Sequence, residues 1–255
     1  MAEMGPSRRQ STNQSGGQSG GQSAAQSTAT LRLKVGDLEV AHPITVPSGA
    51  VPATAVLPAL QGLVNATVEA AEMGKAISCR KGCGACCRQL VPISRTEGEA
   101  LLALVDAMPT PRRKTVRARF AAAEAAIANA GLAEPGGRSD REMSVAYFAL
   151  GVPCPFLEEE SCSIHPDRPL VCREYLVTSS AALCAGPVQE GVTPVPVPKL
   201  SLAARRLQDE GESWFPLALL MAWSRRPRSP AKRRPGPEWV QRFLRGLAGS
   251  APPAS

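Results

Sequence analysis

Histidine is scarce in this chain, with only His42 and His165 among 255 residues. Two histidines give no basis for arguing a Ser-His-Asp arrangement. The sequence also lacks the G-x-G-x-x-G fingerprint, the P-loop and the H-E-x-x-H zinc motif. No motif therefore supports a dinucleotide-binding enzyme, a P-loop nucleotidase or a zinc protease of the H-E-x-x-H type.

Long apolar runs are absent as well. The longest, around residues 215–223, is too short to cross a bilayer, so we expect no membrane span. Arg8-Arg9 is followed by polar residues instead of an apolar stretch, so we expect no export signal. These features favour a cytoplasmic protein. In that compartment thiols stay reduced, and clustered cysteines are more often metal ligands than disulfides.

Acidic residues are few near the C-terminus. The net charge is +7, and residues 201–255 carry most of the excess, with ten Lys or Arg against four Asp or Glu. This basic tail could contact nucleic acid or a protein partner, or offset negative charge within the protein. Its aromatic residues Trp214, Trp223 and Trp239 could stack on single-stranded nucleic acid. Tryptophans at helical spacing are more often typical of core or docking positions.

Cysteine is present in a distinctive arrangement. Residues 79–88 read C-R-K-G-C-G-A-C-C-R, which places four thiols within nine residues. Thiolates are soft ligands that suit zinc and iron–sulfur clusters. Gly82 and Gly84 can adopt positive φ angles, so the backbone could wrap around an ion. The alternative is a helix that carries inert thiols on one side, which the two glycines disfavour.

A second cysteine segment follows about 65 residues later. Residues 154–173 read C-P-F-L-E-E-E-S-C-S-I-H-P-D-R-P-L-V-C-R, and one more cysteine stands at 184. The gaps are longer than in the first segment, so spacing alone leaves metal binding and ordinary packing equally open. A Pro directly after Cys154 also occurs at iron–sulfur ligands, but Pro is too common to discriminate.

Together the two segments resemble the YkgJ-like cysteine-cluster family of zinc- or iron-chelating domains. That family has C-x3-C-x2-C-C, later C-P-[FL]-L, and then C-x-I-[YH]-x-x-R-P-x-x-C-R. Every element occurs here in that order, between about residues 75 and 185. The resemblance implies a bound zinc ion or iron–sulfur cluster, and related domains occur in flagellin lysine methylases. Many members have Tyr where this chain has His165, so His165 is either a ligand or a surface or capping residue.

The candidate metal ligands are eight thiols: Cys79, Cys83, Cys86, Cys87, Cys154, Cys162, Cys172 and Cys184. Cys184 lies outside the motif itself. Because Cys86 and Cys87 are adjacent, one could face the metal while the other packs, bridges to the second segment or serves a second centre. Arg88, Arg168 and Arg173 are either hydrogen-bond donors to thiolate sulfur or ordinary surface arginines.

Hydrophobic periodicity predicts a mainly α fold, namely a small loop-rich helical domain that the cysteine cluster organises. Residues 1–30 are rich in Gln, Ser and Gly and are expected to be disordered. We expect a small β-hairpin and Pro-rich lead-in over 31–58 and the metal-binding domain over 59–190. Residues 191–255 read as a Pro-rich linker and a basic helical tail. Helices are predicted over 59–75, 94–105, 110–131, 140–150, 214–223 and 239–247. Leu60, Val64, Val68 and Ala71 form an apolar stripe on the first, and Ser94-Arg-Thr-Glu97 is a capping box that opens the second.

Three functions are compatible with these features. The first is a metal-binding module whose role is chelation or handling of zinc or iron. The second is an iron–sulfur oxidoreductase or a component of a methyl-transfer system, which predicts a pocket beside the cluster. The third is a nucleic-acid-associated protein that acts through its basic tail, and its binding would weaken steeply with added salt.

Overall fold

The computed structural model describes residues 25–35, 37–134, 136–186, 190–208 and 213–248. Helices predominate in these residues, which confirms the broad expectation of a mainly α fold. In chain order they are α1 (Leu57–Glu72), α2 (Arg95–Ala107), α3 (Thr110–Asn129), α4 (Asp140–Ala149), α5 (Leu170–Arg173), α6 (Ser201–Ala204), α7 (Leu220–Arg225) and α8 (Gly236–Ala248).

The strands of the described residues pair in twos, always antiparallel. The pairs join β1 to β2, β3 to β8, β4 to β7, and β5 to β6. Two of these sheets join segments that are more than a hundred residues apart in the chain. The strands are β1 (Gln26–Val35), β2 (Leu38–Pro47), β3 (Ala50–Pro52), β4 (Pro92–Ser94), β5 (Leu157–Glu158), β6 (Ser161–Cys162), β7 (Trp214–Pro216) and β8 (Arg233–Pro235).

The N-terminal hairpin is present and is longer than expected. Strand β1 begins at Gln26, so the part of the predicted disordered tail from Gln26 to Thr30 is ordered as a strand. Residues 1–24 lie outside the described part of the chain. Burial alternates along β2, with Val40, Ile44 and Val46 buried. The alternation arises because one face of the strand packs on the helical body.

The principal core forms between the hairpin, helix α1 and helix α8. The predicted stripe on α1 is confirmed, since Leu60 and Val64 are fully buried. From α8, Trp239 and Phe243 enter the same core and are also fully buried. The indole Nε1 of Trp239 donates to the carbonyl oxygen of Val51 at 2.9 Å. The last amphipathic helix of the predicted basic tail is therefore part of the main packing of the molecule.

Helices α2 and α3 build a second core with helix α7. Its fully buried members include Ile93, Val105, Phe120 and Leu220. The predicted capping box opens α2, since Ser94 Oγ accepts from the Glu97 N–H and the Glu97 carboxylate accepts from the Ser94 N–H. Helix α3 begins at Thr110 itself and ends just before Gly131, whose φ of 66° suits a helix stop.

The prediction of one helix over residues 214–223 is wrong in its first part. Trp214–Pro216 is the strand β7, followed by a 3-10 turn, and the helix α7 begins only at Leu220. Pro216 disfavours a helical conformation in the residue before it, and Phe215 pairs with Ile93 of β4 instead. In the described residues, no helix has the length and hydropathy needed to cross a membrane.

Candidate metal centre

The first cysteine segment is a loop followed by a 3-10 turn, and it is not a regular helix. Gly82 has φ 89°, a left-handed angle that glycine adopts without strain. The N–H of Cys83 donates to the carbonyl oxygen of Arg80 at 3.0 Å, which closes a turn. Residues Ala85–Arg88 then form the 3-10 turn that carries Cys86 and Cys87. The alternative of a single helix with four inert thiols on one side is therefore excluded.

The second segment places its cysteines on several short elements. Cys154 precedes the β5–β6 hairpin, Cys162 lies on β6, and Cys172 lies on the single-turn helix α5. Cys184 lies on a 3-10 turn, Ala181–Ala185, and is buried. All eight thiols are free, and the other seven are partly exposed.

The two cysteine segments lie directly against each other. The N–H of Cys154 donates to the carbonyl oxygen of Cys87 at 2.7 Å. The guanidinium of Arg88 makes two hydrogen bonds to the carboxylate of Glu160, at 2.8 and 2.6 Å. Such a paired arrangement fixes direction as well as distance. Arg88 therefore joins the first segment to the β5–β6 hairpin.

The contact between the segments is close at Gly84, where a larger residue would have to displace its neighbours. A Cβ at Gly84 would lie 2.5 Å from Glu160 Oε2 and 2.9 Å from Leu157 Cδ1. The hairpin turn on the other side is itself strained, since Glu159 and Glu160 have φ angles of 47° and 53°. A left-handed backbone conformation at a non-glycine residue costs of the order of 1 kcal/mol or more, so the surrounding contacts must hold these two residues in it.

The thiols also interact electrostatically across the segments. Burial raises the pKa of Cys172, and the thiols of Cys154, Cys86 and Cys162 raise it further. Burial raises the pKa of Cys154 to about 12, with smaller contributions from Cys162 and Cys86. At neutral pH these metal-free thiols are therefore protonated.

A second thiol neighbourhood surrounds Cys184. Burial raises its pKa, the Tyr175 hydroxyl lowers it, and the thiols of Cys79, Cys83 and Cys86 raise it. Burial raises the pKa of Cys79, a backbone hydrogen bond lowers it, and the thiols of Cys83 and Cys86 raise it by smaller amounts. The structure therefore places Cys184, whose role spacing could not decide, beside the first cysteine segment.

Cys86 is the thiol that both neighbourhoods share. A hydrogen bond with the adjacent Cys87 thiol is the largest cause that raises the pKa of Cys86, followed by burial. When ionised, Cys86 raises the pKa of Cys79 and Cys184 on one side and of Cys154, Cys162 and Cys172 on the other. The two adjacent cysteines thus lie where the two segments meet.

Arg168 supplies positive charge to this cluster. Its guanidinium lowers the pKa of Cys79, Cys86 and Cys162, against the larger effects that raise them. Its Nε is buried and has no hydrogen-bond partner among the described residues, so this N–H is available to a thiolate sulfur. The side chain of Arg173 holds the loop in place by donating to the carbonyl oxygens of Arg168 and Pro166 and to Asn65 Oδ1.

His165 is engaged with the same arginine. Its Nε2 is hydrogen-bonded to Arg168 Nη1, and because a guanidinium can only donate, Nε2 must accept. Burial lowers the pKa of His165, and Arg168 and Arg173 lower it further. This arrangement supports the interpretation of His165 as a surface residue that positions Arg168, since the Nε2 lone pair is already in use.

The donor set fits a soft metal in chemical type. The two cysteine segments adjoin, and Arg168, which has an unpartnered buried N–H, lowers the pKa of Cys79, Cys86 and Cys162. Across the residues with described positions, no three His, Cys, Asp or Glu side chains come close enough together to hold an ion. The thiols interact electrostatically but lie farther apart than the ligands of one ion, so metal binding would have to draw them closer.

No sequence motif located two features that lie beside the cysteines. The carboxylates of Glu97 and Glu174 are buried, and each accepts hydrogen bonds from a backbone N–H far along the chain, that of Leu170 at 2.8 Å and that of Ser201 at 2.7 Å. The second feature is a cleft of about 650 Å³ that is lined in part by Cys154. The capping-box pattern predicted the role of Glu97 within α2, but nothing in the sequence indicated its hydrogen bond with Leu170.

Comparison with known proteins gives one match. Residues 78–189 match the family model CxxCxxCC, described as "Putative zinc- or iron-chelating domain". The matched range contains all eight cysteines, and it confirms the family resemblance drawn from the motif spacing. No curated protein and no solved structure matches the chain.

Proposed function

We propose, from the CxxCxxCC domain that the chain carries, that this protein binds a zinc ion or an iron–sulfur cluster through its cysteines and serves in metal chelation or handling. One observation supports the proposal above all: the two cysteine segments lie against each other, joined by the hydrogen bond from Cys154 to Cys87. A cytoplasmic location, where the thiols stay reduced, belongs to the same proposal.

All eight cysteines are proposed as ligands, in two overlapping sets. Cys86 with Cys154, Cys162 and Cys172 forms one set of mutually interacting thiols. Cys79, Cys83 and Cys184 form the other set, and these thiols also interact with Cys86. Cys87 is hydrogen-bonded to Cys86. Four thiolates are the usual complement of a structural zinc site or of an iron–sulfur cluster, so the count is compatible with two centres.

Loading of the site has to displace protons. The thiols of Cys154 and Cys172 are protonated in the metal-free protein, because burial raises the pKa of both. A bound zinc ion would organise the loops, and an iron–sulfur cluster would add a redox centre. The affinity for metal should therefore rise with pH through the neutral range. Arg168 would offset part of the resulting thiolate charge.

Anaerobic purification with metal analysis and an absorption spectrum tests the proposal. Zinc gives a colourless protein, whereas an iron–sulfur cluster gives a coloured one that dithionite bleaches. Cys83→Ser and Cys172→Ser each change one thiol of a different ligand set, and each should lower the metal content. Ser163→Ala, beside Cys162 but without a thiol, serves as the matched control. A wild-type protein with neither zinc nor iron would overturn the proposal, and unchanged metal in both cysteine variants would overturn the ligand assignment.

The cleft beside Cys154 favours a second candidate function, an iron–sulfur oxidoreductase or a component of a methyl-transfer system. Its volume of about 650 Å³ lies in the range of small-molecule sites. Alanines of α3 and Leu150 line its apolar side, and Arg119 and Glu158, paired at 2.8 Å, line its polar side. A site of this kind would place a small molecule next to a candidate ligand. A colourless protein that dithionite does not change would exclude this second function.

A further inference from the structure

A strongly basic surface lies on residues 225–234, outside the two cysteine segments, and we call these residues the arginine segment. The segment contains six basic residues and no acidic one: Arg225, Arg226, Arg228, Lys232, Arg233 and Arg234. All of them except Arg234 are exposed. Arg225, Arg226 and Arg234 are paired with Glu124, Glu134 and Glu238. For Arg228, Lys232 and Arg233 the described residues provide no carboxylate partner.

The arginine segment is held in a defined shape. The guanidinium of Arg228 lies over the ring of Trp223, 4.2 Å from its centroid, and Phe215 stacks on the same ring at 4.4 Å. The side chain of Arg95 donates to the carbonyl oxygen of Ser229 at 2.6 Å and to its hydroxyl at 3.1 Å. Strand β8 fixes the far end by pairing with β3. Prolines at 227, 230 and 235 restrict the backbone between these points.

A polar cleft of about 370 Å³ lies between this segment and the start of α2. Three guanidinium groups line it, from Arg95, Arg226 and Arg228, against the single carboxylate of Glu99. The Arg95–Glu99 ion pair, at 2.9 Å, and the Arg226–Glu134 ion pair, at 2.6 Å, neutralise two of these positive charges. A net positive charge remains, and stacking on Trp223 leaves the edge donors of Arg228 free for an anion.

We propose that the cleft and the arginine segment bind the phosphate backbone of a nucleic acid, for which a single-stranded oligonucleotide is a suitable probe. Arginines that are held in place suit phosphate oxygens, which accept from guanidinium N–H groups in pairs. Two of the tryptophans are poor platforms for bases, because Trp239 is fully buried and Trp223 is covered by Phe215 and Arg228. Binding therefore runs through the backbone phosphates and is independent of base sequence.

The test measures binding of a short fluorescein-labelled single-stranded oligonucleotide to the full chain by anisotropy, at several salt concentrations. Wild-type affinity should fall linearly on a log–log plot against salt. Arg228→Gln/Lys232→Gln should bind several-fold more weakly, with a salt slope shallower by about 1.4, since each lost contact removes about 0.7 for a single strand. Circular dichroism verifies that the variant is folded.

Lys114→Gln/Arg117→Gln is the matched control, because it removes one Lys and one Arg from exposed positions on α3. It should leave the affinity and the slope close to those of the wild type. Equal losses in both double variants would overturn the site, since net charge alone would then explain binding. Absence of oligonucleotide binding at low salt would also overturn it. A second arm uses inorganic phosphate, and binding of that ion without the oligonucleotide would overturn the nucleic-acid assignment.

Discussion

Single residues carry most of the polar organisation around the cysteines, and two buried glutamates are the clearest cases. The carboxylate of Glu174 accepts from the N–H and the hydroxyl of Ser201, both at 2.7 Å. Burial raises its pKa to about 7, while the Ser201 hydrogen bonds and Lys199 lower it and Glu97 raises it slightly. A carboxyl group in such a site is therefore half ionised near neutral pH.

Glu174→Gln should change how stability depends on pH. The pKa of Glu174 in the folded protein lies above its ordinary value of 4.5. Its stabilising contribution is therefore complete below that value and is lost as the pH rises through about 7. The loss amounts to about 3 kcal/mol, at 1.36 kcal/mol for each pKa unit. Glutamine keeps the hydrogen bonds, since the Ser201 hydroxyl can accept as well as donate.

The measurement is urea unfolding of the wild type and Glu174→Gln at pH 5, 6, 7 and 8. The free energy of unfolding of the variant should rise relative to that of the wild type by about 3 kcal/mol across this range. Taking the difference at each pH cancels the titration of His165, whose lowered pKa acts in both proteins. A difference that stays constant with pH would show that Glu174 does not titrate in this interval.

At the scale of elements, two helices begin with the same motif in different surroundings. Capping boxes open α2, with Ser94 and Glu97, and α4, with Ser139 and Glu142. The Glu142 box is on the surface, whereas Glu97 is buried and also accepts from the N–H of Leu170, the first residue of α5. Through that bond α2 holds the helix that carries Cys172. The same local sequence pattern thus has a longer-range role in only one of the two helices.

Comparing Glu97→Ala with Glu142→Ala separates the two roles. Glu97→Ala should lower the free energy of unfolding by about 2–4 kcal/mol, because it removes a cap and leaves the buried Leu170 N–H unpaired. Glu142→Ala, which removes only an exposed cap, should cost clearly less. Both values come from chemical denaturation of the full chain. Equal losses would mean that the bond from Leu170 to Glu97 contributes nothing measurable.

At the scale of the whole molecule, the fold brings distant segments together around the cysteines. Helix α8 closes the principal core against α1, and strand β7 pairs with β4 just after the first cysteine segment. The first segment then lies against the β5–β6 hairpin, with the close approach at Gly84. The two halves of the candidate metal centre therefore depend on packing across the entire described chain.

Gly84→Ala tests this contact. The added methyl group has to displace Glu160 and Leu157, so the free energy of unfolding should fall by about 1–3 kcal/mol and the metal content should fall with it. Gly49→Ala is the control, because a Cβ added there would meet no atom of the described residues within 4 Å. Denaturation and metal analysis of the purified proteins give both readouts. If the two variants behave alike, the segments do not have to approach as closely as the structure indicates.

The sequence by itself determined the chemistry and most of the local structure. Thiol spacing indicated a resemblance to the cysteine-cluster domains, and the match over residues 78–189 confirmed that resemblance for this range. The apolar stripe of α1, the Ser94 capping box and the last amphipathic helix also followed from short-range patterns. These predictions succeed because a helix cap or a stripe involves residues only three or four positions apart.

Tertiary structure alone decided which distant residues meet. No local pattern indicated that Phe215 would pair with Ile93 in a strand, that β1 would begin at Gln26, or that Cys184 would lie beside the first cysteine segment. Strand pairing and burial depend on partners far along the chain, and these partners override the propensity of a short segment. For the same physical reason, only the folded chain shows the cleft beside Cys154 and the hydrogen bond between Glu97 and Leu170.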